Sequence, residues 1–471
     1  MNMLVSVAIM IYMIITIVIG VWASKKVKNT KDFELAGRKL PLMMSSCVIF
    51  ATWFGAETIL GTSSQFLEHG LLGVIEDPFG AALCLVLVGL FFARKLYRQN
   101  LHTLGDFFRI RYNATVEMVA SIFMVLSYIG WIAAQFLAMA YLMNIIFSIP
   151  MEWGLLISMG FVGMYTMIGG MWSIAITDYV QTIVIVVGLV ALFVIQAIET
   201  HGFQAAISNI PPGFLDFYPK PIIKDWLTYI AAWLTIGLGS IPQQDVFQRV
   251  MSSKSEKVAQ KSSYLAAILY LIIGLIPMWI AYNMVILHPE IITSNAGQNL
   301  LYAMVHYTGP MTQVIFFGAL LSAILSTASG AILAPATVLV ENVIGARTRF
   351  RFKDETILKL LRIAVVVMAF AAYWLTRHNS SIFALVSESS AISLVTLFAP
   401  LVLGLYYKKA SSEGALLAVI LGYATWHFSP TFFPDIPAVL TGLAVSLGAM
   451  FLTPYLTPKH RKKTNAHTIA E

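Results

Sequence analysis

Long apolar stretches alternate with short polar ones along almost the whole chain. Thirteen of these stretches approach or exceed the ~20 residues that an α-helix needs to cross a bilayer. They fall at 4–22, 41–67, 70–93, 115–147, 150–170, 173–198, 225–247, 259–286, 310–344, 357–376, 381–406, 411–428 and 436–456. This pattern predicts an all-α polytopic membrane protein in which a single domain, residues 1–471, contains thirteen transmembrane helices.

The second apolar stretch carries polar and flexible residues near its middle, in the run FATWFGAETILG at 50–61. Gly55 and Gly61 loosen a helix. Glu57 places a carboxylate at membrane depth, which is costly and is usually kept for function. We therefore expect this helix to break around a site that holds a small solute or an ion.

A similar interruption occurs in the seventh stretch, in WLTIGLGSIPQQ at 233–244. Its clustered glycines and Pro242 predict a second broken helix, because proline removes a backbone donor. Two interrupted helices, five helices apart, are typical of transporters built from inverted repeats. The sequence thus predicts two inverted five-helix repeats, at 41–198 and 225–406.

Composition and charge narrow the class of protein and its orientation. With 58% hydrophobic and 11% charged residues, the chain cannot be a soluble domain. Of its 30 Lys and Arg residues, 27 fall in alternate loops, so the positive-inside rule predicts an outer N-terminus and a cytoplasmic tail at 459–471. The net charge of +7 follows from this topology and does not indicate nucleic-acid binding. Short tails are typical of a bacterial inner-membrane protein.

Several functional classes are disfavoured. The sequence has no phosphate-binding loop and no metal-ligand cluster, so an ATP-driven pump or an enzyme is not expected. A membrane sensor on a transporter fold is disfavoured because no output domain follows the last apolar stretch. A channel is expected even less, since paired broken helices suit alternating access.

Acidic residues occur within or near the ends of the predicted helices. Glu57, Asp77 and Glu388 lie inside them, whereas Asp178 and Asp245 lie near cytoplasmic ends and can be interfacial. No Lys or Arg falls near the middle of a predicted helix. The acids must therefore be protonated, lie in a wet cavity, or face a cation that is not part of the chain.

Two tryptophans, Trp53 and Trp131, lie mid-helix, away from the interfacial belt where tryptophan usually anchors. They can be packing bulk, or together with the acids they can form a cage for an organic cation. Each cation–π contact would contribute ~0.5–2 kcal/mol.

The ninth stretch contains hydroxyl residues in the run LLSAILSTASGAI at 320–332. Small hydroxyl side chains allow close helix packing. Alternatively, Ser322, Ser326, Thr327 and Ser329 could join carbonyls freed at a broken helix in a Na⁺ site, because hard cations favour oxygen ligands. The residues alone leave both interpretations open.

Four segments resemble the sodium/solute symporter family: ATWFGAETILGTS (51–63), GGMWSIAITDYVQ (169–181), GSIPQQDVFQRVMSS (239–253) and LLSAILSTAS (320–329). The likeness extends over most of the chain. It implies the leucine-transporter fold with a thirteen-helix core and an outer N-terminus. It also implies sodium-coupled symport of a small organic solute across a bilayer.

The resemblance implies a sodium site between the second and the ninth predicted crossings, 41–67 and 310–344. Its ligands by position are the backbone carbonyls of Ala51, Phe54 and Ala323 and the hydroxyls of Ser326 and Thr327. Asp178 matches an acid linked in some members to a second cation. Ser329 departs from the family pattern, which usually has Asp, and this weakens the case for another ion there.

Within the family, the motifs are most similar to those of high-affinity choline transporters. Trp53 and Trp131 match two aromatics of their choline cage, and Glu388 matches an acid in helix 11. The other positions differ: Ala81 and Gln243 replace Tyr and Trp, and Glu57 replaces Gly.

The expected solute is therefore a choline-like cation or zwitterion. A sugar, amino acid or carboxylate, or proton coupling through Glu57 or Asp77, are the alternatives. The expected lining residues are Trp53, Glu57, Asp77, Trp131, Gln243 and Glu388.

Overall fold

The computed structural model describes residues 3–199, 204–288, 290, 296–345, 353–377 and 381–456. This part of the chain is helical, as predicted, and its one β contact is a bridge between Leu40 and Ser253. The α-helices are α1 (Met3–Ser24), α2 (Thr30–Leu35), α3 (Leu42–Trp53), α4 (Thr62–His69), α5 (Ala81–Leu87), α6 (Ala93–Arg98), α7 (Leu104–Arg111), α8 (Ala114–Phe147), α9 (Met151–Glu199), α10 (Gln204–Ser208), α11 (Ile223–Gly239), α12 (Gln244–Ser252), α13 (Glu256–Leu287), α14 (Ala296–Tyr307), α15 (Pro310–Val338), α16 (Asp354–Thr376), α17 (Ile382–Ser393), α18 (Ala399–Tyr406), α19 (Ser412–Phe432) and α20 (Ala438–Leu456).

Shorter helical turns join several of these helices. Turns of π-helix cover Glu57–Gly61, Ile75–Gly80, Val88–Phe92, Leu339–Ile344 and Leu394–Phe398, and turns of 3₁₀-helix cover Ala36–Arg38 and Gly70–Val74.

In the described ranges, nine helical stretches are long and apolar enough to cross a membrane. The chain is therefore a multi-pass membrane protein. The other predicted crossings are also helical but are shorter, kinked or less apolar: 41–67 contains α3, 150–170 is the first half of α9, 225–247 contains α11, and 411–428 lies in α19. Thirteen crossings and the two inverted repeats stay predictions, and the predicted tail at 459–471 lies outside the described residues.

Both expected helix breaks are present. Helix α3 ends at Trp53, and Phe54 leaves helical geometry with φ −85° and ψ 79° before the chain resumes a helical turn at Glu57. Helix α11 ends at Gly239, and α12 starts at Gln244, two residues after Pro242. A third interruption lies at Asp77, whose backbone is extended between helical neighbours. Each break exposes backbone groups that a continuous helix would pair internally.

The predicted helices 150–170 and 173–198 form one element, α9, with a kink at Gly170. Gly170 has φ 52° and ψ −157°, a backbone conformation that glycine adopts far more readily than other residues. A Cβ at this position would lie 2.5 Å from the ring of Phe33. The kink therefore depends on glycine, and it allows α2 to pack into the bend.

Helix α15 lies at the centre of the molecule. Almost its whole length is buried, and it packs against α1, α3, α8, α9 and α16. Small residues fill the run 326–331, so neighbouring helices can approach closely. The hydroxyl-rich face of α15 is consequently held against the broken end of α3.

A polar cluster joins the short helix α2 to its neighbours on the side of the basic loops. Glu34 is fully buried, its carboxylate lies 3.6 Å from His102 Nδ1, and its backbone carbonyl accepts a bond of 2.7 Å from Gln248 Nε2. Burial raises the pKa of the Glu34 carboxyl to about 7, although the nearby His102 opposes the shift. The negative charges of Glu341 and Asp106 act in the same direction as burial. The nearby Glu34 carboxylate in turn raises the pKa of His102.

Glu34→Gln is expected to make the thermal stability less dependent on pH. The native carboxyl keeps its proton up to about pH 7, whereas the unfolded one releases it near 4.5, so stability falls as pH rises through this window. The raised pKa of His102 acts in the same sense, because its stabilisation is lost as His102 deprotonates. The measurement is the unfolding midpoint of detergent-purified protein from pH 5 to 8. Glu413→Gln, at an exposed carboxylate, is the control. Equal slopes for wild type and Glu34→Gln would contradict the expectation.

Candidate functional site

The broken end of α3 meets the centre of α15, and this junction contains the predicted sodium ligands. Thr327 Oγ1 lies 3.2 Å from the carbonyl oxygen of Ala51 and donates to it. Ser326 Oγ lies 3.0 Å from the carbonyl oxygen of Ala323 on its own helix. Phe54 follows the last residue of α3, and all five positions are buried. The structure therefore brings the Thr327 hydroxyl against the Ala51 carbonyl across two helices, and oxygen groups of this kind suit a hard cation.

A pocket lies beside this junction. Breaks in three helical segments, near Phe54, Asp77 and Pro242, border it. Its lining residues are Trp53, Glu57, Asp77, Ala81, Trp131, Ile236, Ser240, Gln243, Tyr270, Val386, Ser389 and Ser390. Among these described residues there are two carboxylates and two indoles, and no Lys or Arg.

Glu57 is held rigidly in this pocket. Its Oε1 accepts a bond of 3.0 Å from Trp131 Nε1, and its Oε2 accepts one of 2.6 Å from Gln135 Nε2. The other end of the same amide, Gln135 Oε1, accepts from the backbone N–H of Ala56 at 3.0 Å. One side chain on α8 thus fixes both the carboxylate and the broken backbone next to it.

Asp77 is surrounded by hydroxyl groups. Its Oδ2 accepts from Thr58 Oγ1 at 2.8 Å and from Thr62 Oγ1 at 3.0 Å, and its Oδ1 lies 2.8 Å from the hydroxyl of Tyr270. The same hydroxyl lies 3.0 Å from the carbonyl oxygen of Trp53. These hydroxyls give both oxygens of the buried carboxylate a hydrogen-bond partner.

Trp53 separates this pocket from a second, smaller one. Its indole Nε1 donates to Asp245 Oδ2 at 2.6 Å, and Tyr128 donates to the other oxygen of Asp245. The second pocket also contacts Trp53 and is lined by Thr52, Asp245 and Arg249 among others. Asp245 is fully buried inside the protein.

Arg249 corrects the expectation that the helices contain no internal cation. The sequence places it in a basic loop, but α12 folds inward and leaves its side chain 1% exposed. Its Nε lies 3.0 Å from Thr52 Oγ1. Arg249 interacts electrostatically with both Asp245 and Asp178. A resident cation therefore balances part of the buried acid charge.

Asp178 is also fully buried inside the protein. Neither of its carboxylate oxygens has a hydrogen-bond partner among the described residues. Such an oxygen pair is open to a bound cation, which keeps Asp178 as a candidate for a second ion.

Of the expected pocket residues, the structure gathers Trp53, Glu57, Asp77, Trp131 and Gln243. It does not bring Glu388 to them. That side chain is exposed, and the neighbouring Ser389 and Ser390 line the pocket instead. Register explains the difference, because consecutive helical residues point about 100° apart and only one face of α17 meets the pocket.

Three residues that hold the acids in place were not among the expected site residues: Gln135, Tyr270 and Tyr128. Gln135 was detectable, since it is an amide inside a long apolar run of α8. Tyr270 and Tyr128 were detectable too, since both lie near the middle of predicted helices, away from the interfaces where tyrosine usually anchors.

Comparisons with known proteins identify the family of the chain. The sequence model of the Sodium:solute symporter family matches residues 33–422. The high affinity choline transporter 1 of Homo sapiens is 28% identical over 88% of this chain and 75% of that protein. Sodium/proline symporter 2 of Staphylococcus saprophyticus is 25% identical over 88% of this chain and 83% of that protein.

A solved structure of a Na⁺-coupled sialic acid symporter, in a substrate-bound outward-open state, superimposes with a TM-score of 0.83. It covers 97% of this chain and 98% of its own at 17% identity, so it shows the fold alone. A further match is the nucleobase-cation-symport-1 family transporter Mhp1, with a TM-score of 0.59 at 14% identity. Both have the leucine-transporter fold, as the sequence resemblance implied for this chain.

Gly55→Ala is expected to abolish the function of the site without unfolding the protein. A Cβ at Gly55 would lie 2.4 Å from Glu57 Oε2 and 2.8 Å from Thr327 Oγ1, so at least one of these oxygens must move. The measurement is the rise in unfolding midpoint on adding NaCl, compared with KCl, because a ligand of the native state stabilises it.

Gly318→Ala is the matched control for this variant. It lies on the same helix as Thr327, and an added Cβ meets nothing within 4 Å. A wild-type response to sodium in Gly55→Ala would show that the close approach at Gly55 is unimportant.

Proposed function

The chain belongs to the sodium:solute symporter family and couples Na⁺ to the transport of a small solute, and on this premise we propose that the solute is a small organic cation bound between Trp53 and Trp131. The observation that carries the proposal is the charge of the pocket. Glu57 and Asp77 line it, and none of its described lining residues is basic. A cation is favoured over a zwitterion, because a solute carboxylate would face both acids.

The sodium site is proposed at the junction of α3 and α15. Ala51, Phe54 and Ala323 would supply carbonyls, and Ser326 and Thr327 would supply hydroxyls. Support comes from the Thr327–Ala51 contact across the two helices and from the backbone that α3 leaves open at Phe54. An ion bound here would hold the broken helix α3 against the central helix α15. From that arrangement the sodium site and the solute pocket can close together.

The transport cycle follows from this arrangement. Sodium binding would stabilise the state in which the pocket is open to the outside, and the solute would then bind beside it. Rocking of the segments 41–198 and 225–406 would expose both to the cytoplasm, with the N-terminus outside. Each net positive charge that moves inward gains ~2.3 kcal/mol per 100 mV of membrane potential.

We propose Asp178 as a second cation site that binds more weakly than the site at the junction of α3 and α15. Its carboxylate oxygens are buried without hydrogen-bond partners among the described residues, which favours a cation. The positive charge of Arg249 acts on the same carboxylate and opposes that binding. One sodium ion per cycle is therefore the expected stoichiometry.

Replacing both hydroxyl ligands, Ser326→Ala with Thr327→Ala, is expected to abolish the dependence of uptake on Na⁺. Each loses a direct oxygen ligand, and the remaining carbonyls cannot complete the coordination of a hard cation. Uptake into proteoliposomes with and without a sodium gradient measures the effect. Thr337→Ala removes a buried hydroxyl from the same helix, away from the junction, and serves as the control. Sodium-dependent uptake that survives in the double variant would contradict the proposed site.

Ligand identity is testable by thermal unfolding in NaCl with choline, primary amines, proline, glucose and small carboxylates. We expect small cations to raise the unfolding midpoint most, because they match the acidic pocket. Trp131→Leu should weaken that binding by about 2- to 30-fold through loss of one cation–π contact. Trp131→Phe, which keeps an aromatic face, should lose less. A response to glucose or a carboxylate alone would argue for the other branches of the family.

A further inference from the structure

Glu57 lies between the two proposed binding sites. A point one bond length from Gly55 Cα, where a Cβ would stand, is 2.4 Å from Glu57 Oε2 and 2.8 Å from Thr327 Oγ1. The carboxylate and the proposed sodium ligand therefore face one small gap beside Gly55. The rest of the Glu57 side chain borders the solute pocket with Trp131 and Asp77.

The position of the Glu57 carboxylate is fixed from two sides. Trp131 Nε1 donates to Oε1. Gln135 Nε2 donates to Oε2, the oxygen that faces the gap beside Gly55. Gln135 is itself tied to the N–H of Ala56 within the break. Since these are the donors of a rigid indole and a doubly anchored amide, the carboxylate cannot turn fully towards the pocket without losing one of them.

Charge balance separates the roles of the two acids. The proposed sodium ligands are all neutral, so the ion needs a nearby negative charge when it leaves water. Asp77 instead lies among the hydroxyls of Thr58, Thr62 and Tyr270. Glu57 is the carboxylate that the structure places next to the sodium ligands.

We propose that Glu57 is the counter-ion of the transported Na⁺ and that Asp77 is the counter-ion of the cationic solute. Two acids then balance two cations in an interior whose pocket has no basic lining residue. The two cations bind side by side because each has its own carboxylate, and Na⁺ relieves the excess negative charge of Glu57 without cancelling that of Asp77. This proposal rests on the sodium site and the cationic solute proposed above.

The test measures Na⁺ binding in the absence of any solute, with Na⁺ itself as the probe. Purified protein is titrated with NaCl at constant ionic strength, with KCl as replacement, and the unfolding midpoint is recorded. Glu57→Gln keeps the shape of the side chain but removes its charge, and we expect the apparent Na⁺ affinity to fall about tenfold or more. Asp77→Asn is the contrast variant, and its Na⁺ affinity should stay within about twofold of wild type. Glu57→Asp, which keeps the charge but withdraws it by one methylene, should be intermediate and covers the case in which Glu57→Gln does not fold.

A wild-type Na⁺ affinity in Glu57→Gln, or an equal loss in Asp77→Asn, would overturn the division of roles. The variant Ser326→Ala with Thr327→Ala separates this failure from that of the sodium site. If that variant loses its Na⁺ response while Glu57→Gln keeps it, the sodium site stands and the role of Glu57 is wrong. If the double variant keeps its response, the sodium site is wrong, and the assignment of Glu57 falls with it.

Discussion

The break in the second membrane helix is the constraint on which the rest of the site depends. A helix that ends inside the protein leaves backbone groups with no internal partner and no water to bond. Here each of the neighbouring elements supplies a substitute: Gln135 from α8 bonds the N–H of Ala56, and Thr327 from α15 bonds the carbonyl of Ala51. The same contacts that satisfy the broken backbone therefore assemble the oxygen ligands of the proposed sodium site. The groups that satisfy the broken backbone and the groups that would bind the ion are therefore partly the same.

The buried acids pose the second problem, and aromatic and hydroxyl donors solve it. Trp53 and Tyr128 bond Asp245, Trp131 bonds Glu57, and Tyr270 bonds Asp77. Trp53, Trp131 and Tyr270 thus do two things, since each ring lines the solute pocket and its N–H or O–H satisfies a carboxylate that would be costly to bury unpaired. An aromatic residue in this site can contact a cation and also donates a hydrogen bond to an acid. Its replacement therefore also leaves that carboxylate without one of its donors.

The inward fold of α12 completes the network. The short helix after the break at Pro242 places Asp245 under Trp53 and Arg249 under Thr52, one residue from a proposed sodium ligand. Below the solute pocket the protein therefore carries its own cation, whereas inside the pocket the described lining residues carry only negative charge. This contrast gives a physical reason for a solute cation to remain on the pocket side of Trp53 while the protein keeps this conformation.

The sequence by itself determined the membrane class, the positions of both helix breaks and most of the residues that gather at them. These follow from local physics: apolar length fixes a crossing, and glycine and proline interrupt it wherever they cluster. What the tertiary structure decided is which face each residue presents. Glu388 was expected in the pocket and points elsewhere, Arg249 was expected in a loop and is buried, and Gln135 and Tyr270 became structural partners of the acids. One residue along a helix rotates a side chain by about 100°, so side-chain facing depends on how helices pack across the fold and cannot be read from a single apolar stretch.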